Sequence, residues 1–293
     1  MKLSFRYAEL SNGMRLHYAQ AGQGRPILFV HGFPEFWYAW KEQLTEFGQD
    51  HCAVALDMRG YNLSSKPTDV RQYRAKYLVE DIKLLAEHLG WGPFTLVAHD
   101  WGGAVAWNFA ATYPERLGKL IVINAPHPVT FARELRDNPA QQQASRYMNL
   151  FREQRADALL AEESYRRLTA MTLDAWAKNG GAAAQADRDA YLASWAQPGA
   201  VTGALNYYRA SPLHPPTAEN PQTVEMDPKL FYVKVPTLVI WGEKDEALLT
   251  GNLEGLENHV RTLKIERIFN GSHWVVHEHP ARVNALIREH IGA

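Results

Sequence analysis

The chain is 293 residues long, 46% hydrophobic and 22% charged, with Lys+Arg 31 against Asp+Glu 32 and a formal net charge of −1. That balance argues against nucleic acid or an anionic membrane surface as a partner. The single cysteine, Cys52, excludes an internal disulfide and suits a reducing compartment. No stretch approaches the roughly 18 apolar residues of a membrane helix. The opening Met1 to Tyr7 breaks its apolar run with charge too soon for a secretory leader. The expectation is a soluble cytoplasmic protein, monomer or homodimer.

Residues 5–10 and 14–20 alternate polar and apolar around Asn12-Gly13, the pattern of a hairpin. Continuous apolar runs follow at 26–30, 52–56, 94–98, 120–123 and 237–241. Unbroken runs of this length suit parallel strands covered on both faces. Helical spacing appears at about 37–48, 75–89, 103–113 and 280–290. Strand–helix alternation predicts a doubly wound, mostly parallel α/β sheet. From about 126 to 230 the alternation stops. Ala, Gln, Glu, Arg and Leu dominate there, with breaks at Asn138-Pro139, Gly180-Gly181 and Pro198-Gly199, and a proline-rich return from Pro212 to Pro221. The predicted division is therefore a core over 1–125 and 231–293, with a helical lid over 126–230. Such a lid would cover the carboxyl ends of the strands, where ligands bind in sheets of this kind.

The stretch Leu96-Val97-Ala98-His99-Asp100-Trp101-Gly102-Gly103 ends a buried strand, places a charged residue between small neighbours and opens a helix. This is the form of the nucleophile elbow of α/β-hydrolase sheets, with Asp100 where Ser is commonest and Ala98 in place of the first glycine. The competing interpretation is an aspartate that caps the next helix. His31-Gly32-Phe33-Pro34 follows the strand at 26–30, which assigns the oxyanion-hole N–H groups to Phe33 and Trp101. Asp245 follows the strand at 237–241, and His273 follows a strand-like run at 262–269. Nucleophile, acid and histidine thus occur in the chain order this fold requires. Glu243 and Glu246 rival Asp245 as the acid, and His277 and His279 rival His273. Asn124, at the other position where relatives carry the acid, is an amide and cannot serve as one.

By these residues the sequence resembles the soluble α/β-hydrolase-fold epoxide hydrolases. The matching pieces are His31-Gly32-Phe33-Pro34-Glu35, Asp57-Met58-Arg59-Gly60-Tyr61-Asn62-Leu63-Ser64, His99-Asp100-Trp101-Gly102-Gly103, Asn206-Tyr207-Tyr208-Arg209 and Gly271-Ser272-His273-Trp274. Asn62 stands where the family usually has Gly, but Asn tolerates positive φ. The resemblance implies two lid tyrosines as acids, matched by Tyr208 and Tyr147, with Tyr207 and Tyr165 as fallbacks. It implies a pocket lined by aromatic and apolar residues, among them Phe33, Trp37, Trp101 and Phe151. It implies a small apolar epoxide and water as substrates, and no metal or cofactor.

A carboxylate nucleophile itself points to substitution at saturated carbon. Serine attacking an epoxide would leave an ether, which water does not readily cleave. Aspartate leaves an ester, whose carbonyl an activated water can attack. Haloalkane dehalogenation uses the same nucleophile and is the alternative function. Phe33 stands where many dehalogenases carry a halide-binding Asn, but Trp176 and Trp195 are lid tryptophans of the type others use instead.

Overall fold

A computed structural model describes residues 3–181, 183–219, 221 and 224–292. Met1 and Lys2 of the leader reading, and Ala182, Asn220, Gln222 and Thr223 of the inserted stretch, lie outside the described residues. In chain order the elements begin with β1 (Ser4–Glu9), β2 (Arg15–Ala21), β3 (Arg25–Val30), α1 (Lys41–Phe47), β4 (His51–Leu56), α2 (Ala75–His88), β5 (Phe94–His99), α3 (Asp100–Thr112) and β6 (Leu117–Ile123). Seven helices follow among the described residues: α4 (Pro128–Asp137), α5 (Pro139–Ala144), α6 (Tyr147–Arg152), α7 (Ala156–Met171), α8 (Leu173–Lys178), α9 (Gln185–Trp195) and α10 (Ala200–Ala210). The chain then completes the sheet with β7 (Thr237–Gly242) and β8 (Leu263–Ile268), and ends in α11 (Val275–Glu278) and α12 (Pro280–Ile291).

Among the described residues the strands form one eight-stranded sheet in the order β1-β2-β4-β3-β5-β6-β7-β8. The hairpin strand β2 pairs antiparallel with β1 and β4, and every other pairing is parallel. The central strands alternate between two apolar layers. Leu28, Val30, Leu96, Ala98 and Val122 face the α2–α3 side, while Ile27, Phe29, Val97, Ile121 and Ile123 face α1 and α12. Period-two alternation with both faces apolar is why these runs read as unbroken hydrophobic segments.

This topology positions the site. The chain leaves β3 toward one edge through β4, then returns to pair β5 on the other side of β3. The carboxyl ends of β3 and β5 are neighbours at this reversal, with Val30 opposite Ala98. A ligand crevice opens at such a reversal. All seven inserted helices lie between β6 and β7. No described helix is long and apolar enough to cross a membrane.

Candidate active site

Helix α3 begins at Asp100 itself, three residues before the helical spacing in the sequence suggested. The strand runs into the helix with no intervening loop, so Asp100 takes φ +50, a conformation that costs an L residue energy and marks a constrained turn. Close approach explains the small neighbours. A Cβ on Gly102 would lie 2.3 Å from the Val30 carbonyl oxygen, and one on Gly32 would lie 2.3 Å from Asp100 Cβ. Small size is therefore needed at Gly32 and Gly102, while Ala98 fits within the core.

The Phe33 N–H donates to Asp100 Oδ1 at 2.6 Å. Trp101 lies in the first turn of α3, where backbone N–H groups have no helical acceptor and the helix dipole favours negative charge. Asp100 Oδ2 lies 3.6 Å from His273 Nε2. The other ring nitrogen, Nδ1, lies 2.7 Å from Asp245 Oδ2. Asp245 is buried and accepts three further hydrogen bonds: from the Ala247 and Leu248 N–H groups to Oδ1, both at 2.9 Å, and from Asn124 Nδ2 to Oδ2 at 2.8 Å. Asn124 Oδ1 in turn accepts from the Gly242 N–H at 2.8 Å. Asn124 thus clamps the acid, a role its amide gave no reason to assign from sequence.

Electrostatics follow this geometry. Burial pushes the His273 imidazole down, but Asp245 in contact, helped by Asp100 and Glu35, reverses this and raises its pKa to about 9. Burial raises the Asp245 carboxyl, and His273, with the Leu248 N–H and Asn124, more than offsets it, leaving the pKa lowered. Burial and the Asp100 charge raise the phenols of Tyr147 and Tyr208, so both are protonated donors. Behind the histidine lies a second buried carboxylate. Glu35 receives His277 Nε2 at 2.6 Å and the Tyr191 hydroxyl at 2.7 Å, and His99 lies 3.3 Å away. His99 Nε2 donates to the His273 carbonyl oxygen at 2.8 Å. The two histidines outweigh burial and hold Glu35 below the usual carboxylate range. The sequence offered Glu35 only as part of a matching motif, and this use of it was missed.

Two cavities meet at Asp100, Tyr147 and Tyr208. One, of about 300 Å³, is apolar, with Leu78, Val105, Phe131, Met148 and Phe231 on its walls. The other, of about 890 Å³, holds His273 and Asp245 and carries Lys178, Lys244 and Glu246 on its walls. Phe33 and Phe151 line the second cavity and Trp101 the first. Tyr208 packs its ring edge-on to Phe33, Trp101 and Phe151, with centroids 5.0–5.2 Å apart.

Other candidates are committed to other contacts. Trp37, expected in the pocket, lines neither cavity. Its ring packs on Phe5 and Phe36, and its backbone N–H donates to Asp57 Oδ1 at 2.8 Å. Packing on the hairpin side draws it away from the strand ends. Trp195 Nε1 donates to the Pro34 carbonyl and Trp176 stacks on His277 at 4.0 Å, so neither reaches the cavities at Asp100. Tyr207 faces the first cavity but commits its hydroxyl to the Arg59 carbonyl, and Tyr165 packs on Trp195. His277 serves Glu35, and His279 stands just before α12, outside both cavities. Glu243 lines the larger cavity but pairs with Arg267. Asn62 does adopt φ +40, and its side chain adds a hydrogen bond to Asp57 Oδ2 at 2.7 Å. Among the described residues no cluster of side chains could hold a metal ion.

A family profile described as alpha/beta hydrolase fold matches residues 25–280. Epoxide hydrolase 4 of Mus musculus is 35% identical over 287 residues, covering 94% of this chain and 76% of that protein. The AB hydrolase superfamily protein YfhM of Bacillus subtilis (strain 168) is 38% identical over 293 residues, covering 96% of each. A crystal structure of the Bacillus megaterium epoxide hydrolase with an inhibitor aligns with a TM-score of 0.89 at 38% identity, covering 98% of this chain and all of the other. Fold and relatives together define an enzyme of the α/β-hydrolase class. Within that class the chain belongs to the epoxide hydrolase family.

Proposed function

We propose that the chain hydrolyses an epoxide to a vicinal diol through a covalent ester on Asp100. The observation that carries this reading is a carboxylate at the elbow that shares its cavities with two lid phenols. Asp100 Oδ1 is held by Phe33, which leaves Oδ2 free to attack an epoxide carbon. The carbon–oxygen bond breaks, and the ring oxygen takes a proton from Tyr147 or Tyr208. His273, held by Asp245, then removes a proton from water, and the hydroxide adds to the ester carbonyl carbon of Asp100. Phe33 and Trp101 N–H groups stabilise the oxyanion that forms. The acyl–oxygen bond breaks and the departing diol oxygen takes its proton from His273. The Asp100 carboxylic acid returns its proton to the tyrosinate, and the cycle closes.

The inserted stretch 126–230 acts as the lid over a core formed by 1–125 and 231–293. It brings the acids to the nucleophile, and the apolar cavity suits the substituent of a small apolar epoxide. Dehalogenation needs halide donors at the same place, and the lid tryptophans point elsewhere. Single-turnover reaction with styrene oxide in ¹⁸O-labelled water tests the scheme. The first turnover should place the label in the Asp100 carboxyl group. Label found directly in the first-formed diol would contradict an ester intermediate.

A further inference from the structure

The motif Asp57-Met58-Arg59-Gly60 takes no part in the chemistry above, yet the inserted helix that carries Tyr208 rests on its last two residues. The Tyr207 hydroxyl donates to the Arg59 carbonyl oxygen at 2.8 Å, buried from solvent. One turn earlier, Gly203 meets Gly60 backbone to backbone: a Cβ on Gly203 would lie 2.4 Å from the Gly60 oxygen and 2.6 Å from its Cα. Residues 203 and 207 share a face of α10, so consecutive loop residues grip the helix at two points one turn apart. The loop is itself rigid. Arg59 is buried and donates from Nε and Nη2 to Asp81 of α2, at 2.5 and 2.6 Å, and from Nη1 to the Gln72 carbonyl at 2.8 Å. The chain of supports continues beyond α10. Arg152, at the end of the helix that begins with Tyr147, donates to the carbonyl oxygens of Tyr208 and Ser211.

We infer that Gly203, Tyr207 and the Arg59–Asp81 pair form a mount that sets how far the Tyr208 phenol, and through Arg152 the Tyr147 phenol, stands from the epoxide oxygen. These are positioning residues for ring opening, not for ester hydrolysis, because His273, Asp245 and the Phe33 N–H lie on core segments after strands and the Trp101 N–H lies at the start of α3, none of them on α10. The inference rests on the proposed function.

Gly203→Ala and Tyr207→Phe test it, each combined with His273→Gln so that the ester accumulates and its mass reports alkylation alone. Displacing a reacting group by about 1 Å costs on the order of 100-fold, and that loss is expected for Gly203→Ala. Losing one hydrogen bond predicts roughly a tenfold loss for Tyr207→Phe. With His273 intact, hydrolysis of the formed ester should proceed at the parent rate in both variants. In a Tyr208→Phe background Tyr207→Phe should add little further loss, since the group it positions is gone. Alkylation within twofold of the parent in both variants overturns the mount. So does an equal loss from Tyr207→Phe with and without the Tyr208 hydroxyl, or an equal loss in ester hydrolysis. If Gly203→Ala does not fold, Tyr207→Phe decides alone. A parent chain that never alkylates overturns the functional reading and the mount together. A parent that alkylates beside variants that match it overturns the mount only.

Discussion

His273 sits between two carboxylates, and its charge depends on both. In the free enzyme Asp245 and Asp100 help raise it to about 9, so the imidazole is largely protonated at neutral pH. In the proposed scheme an ester on Asp100 is neutral and removes one of those charges. On that scheme the pKa of His273 falls, and the imidazole becomes available as a base. Only the neutral ring accepts a proton, so ester hydrolysis should rise with pH through a midpoint below about 9. Single-turnover hydrolysis measured from pH 5 to 10 checks this; a flat profile would refute it. Replacing His273 with Gln should leave alkylation intact and trap a covalent adduct on the Asp100 peptide, visible by mass spectrometry. Replacing both Tyr147 and Tyr208 with Phe should slow alkylation strongly, since a positioned general acid is typically worth about 10²–10⁴-fold. Near-parent alkylation in that double variant would mean the proton comes from another group. At this scale Asp100, Asp245 and His273 were legible because each follows a strand in the required order. Asn124 and His277 were not, because their roles lie in what they touch across the sheet.

The strand–elbow–helix unit of β5 and α3 is where local sequence and tertiary packing meet. Gly102 reads as a helix breaker, yet it sits inside α3 because the helix start presses on the end of β3. Gly102→Ala should therefore destabilise the fold despite the better helix propensity of alanine. Overpacking of this kind costs about 1–3 kcal/mol, opposing a propensity gain of about 1 kcal/mol. Thermal unfolding checks the sign: an unchanged or raised Tm would show that the Val30 carbonyl can move aside. The central strands were legible because two-sided burial leaves a continuous apolar signal, and the hairpin strands because they alternate. Helix starts were less so, because the first turn of α3 is governed by its contact with β3.

Across the whole molecule the site is a junction between an apolar cavity and a polar one. His273 and Asp245 face the polar side, with Lys178, Lys244 and Glu246. Water should reach the ester from that side while the apolar arm holds the organic substituent. Ala104→Phe, placed on α3 at the wall of the apolar cavity, should raise KM for epoxides bearing an aryl group far more than for propylene oxide. Equal effects on both would mean the substituent lies elsewhere. The alternating sheet, the helical stretch inserted before β7 and the carboxylate at the end of β5 could all be read locally, because periodicity and turn chemistry are local properties. Only long-range packing sets which tyrosines face Asp100, turns Trp37 away, and brings Asn124 onto Asp245 and Glu35 behind His273. Those outcomes depend on contacts between segments far apart in the chain, which no local pattern encodes.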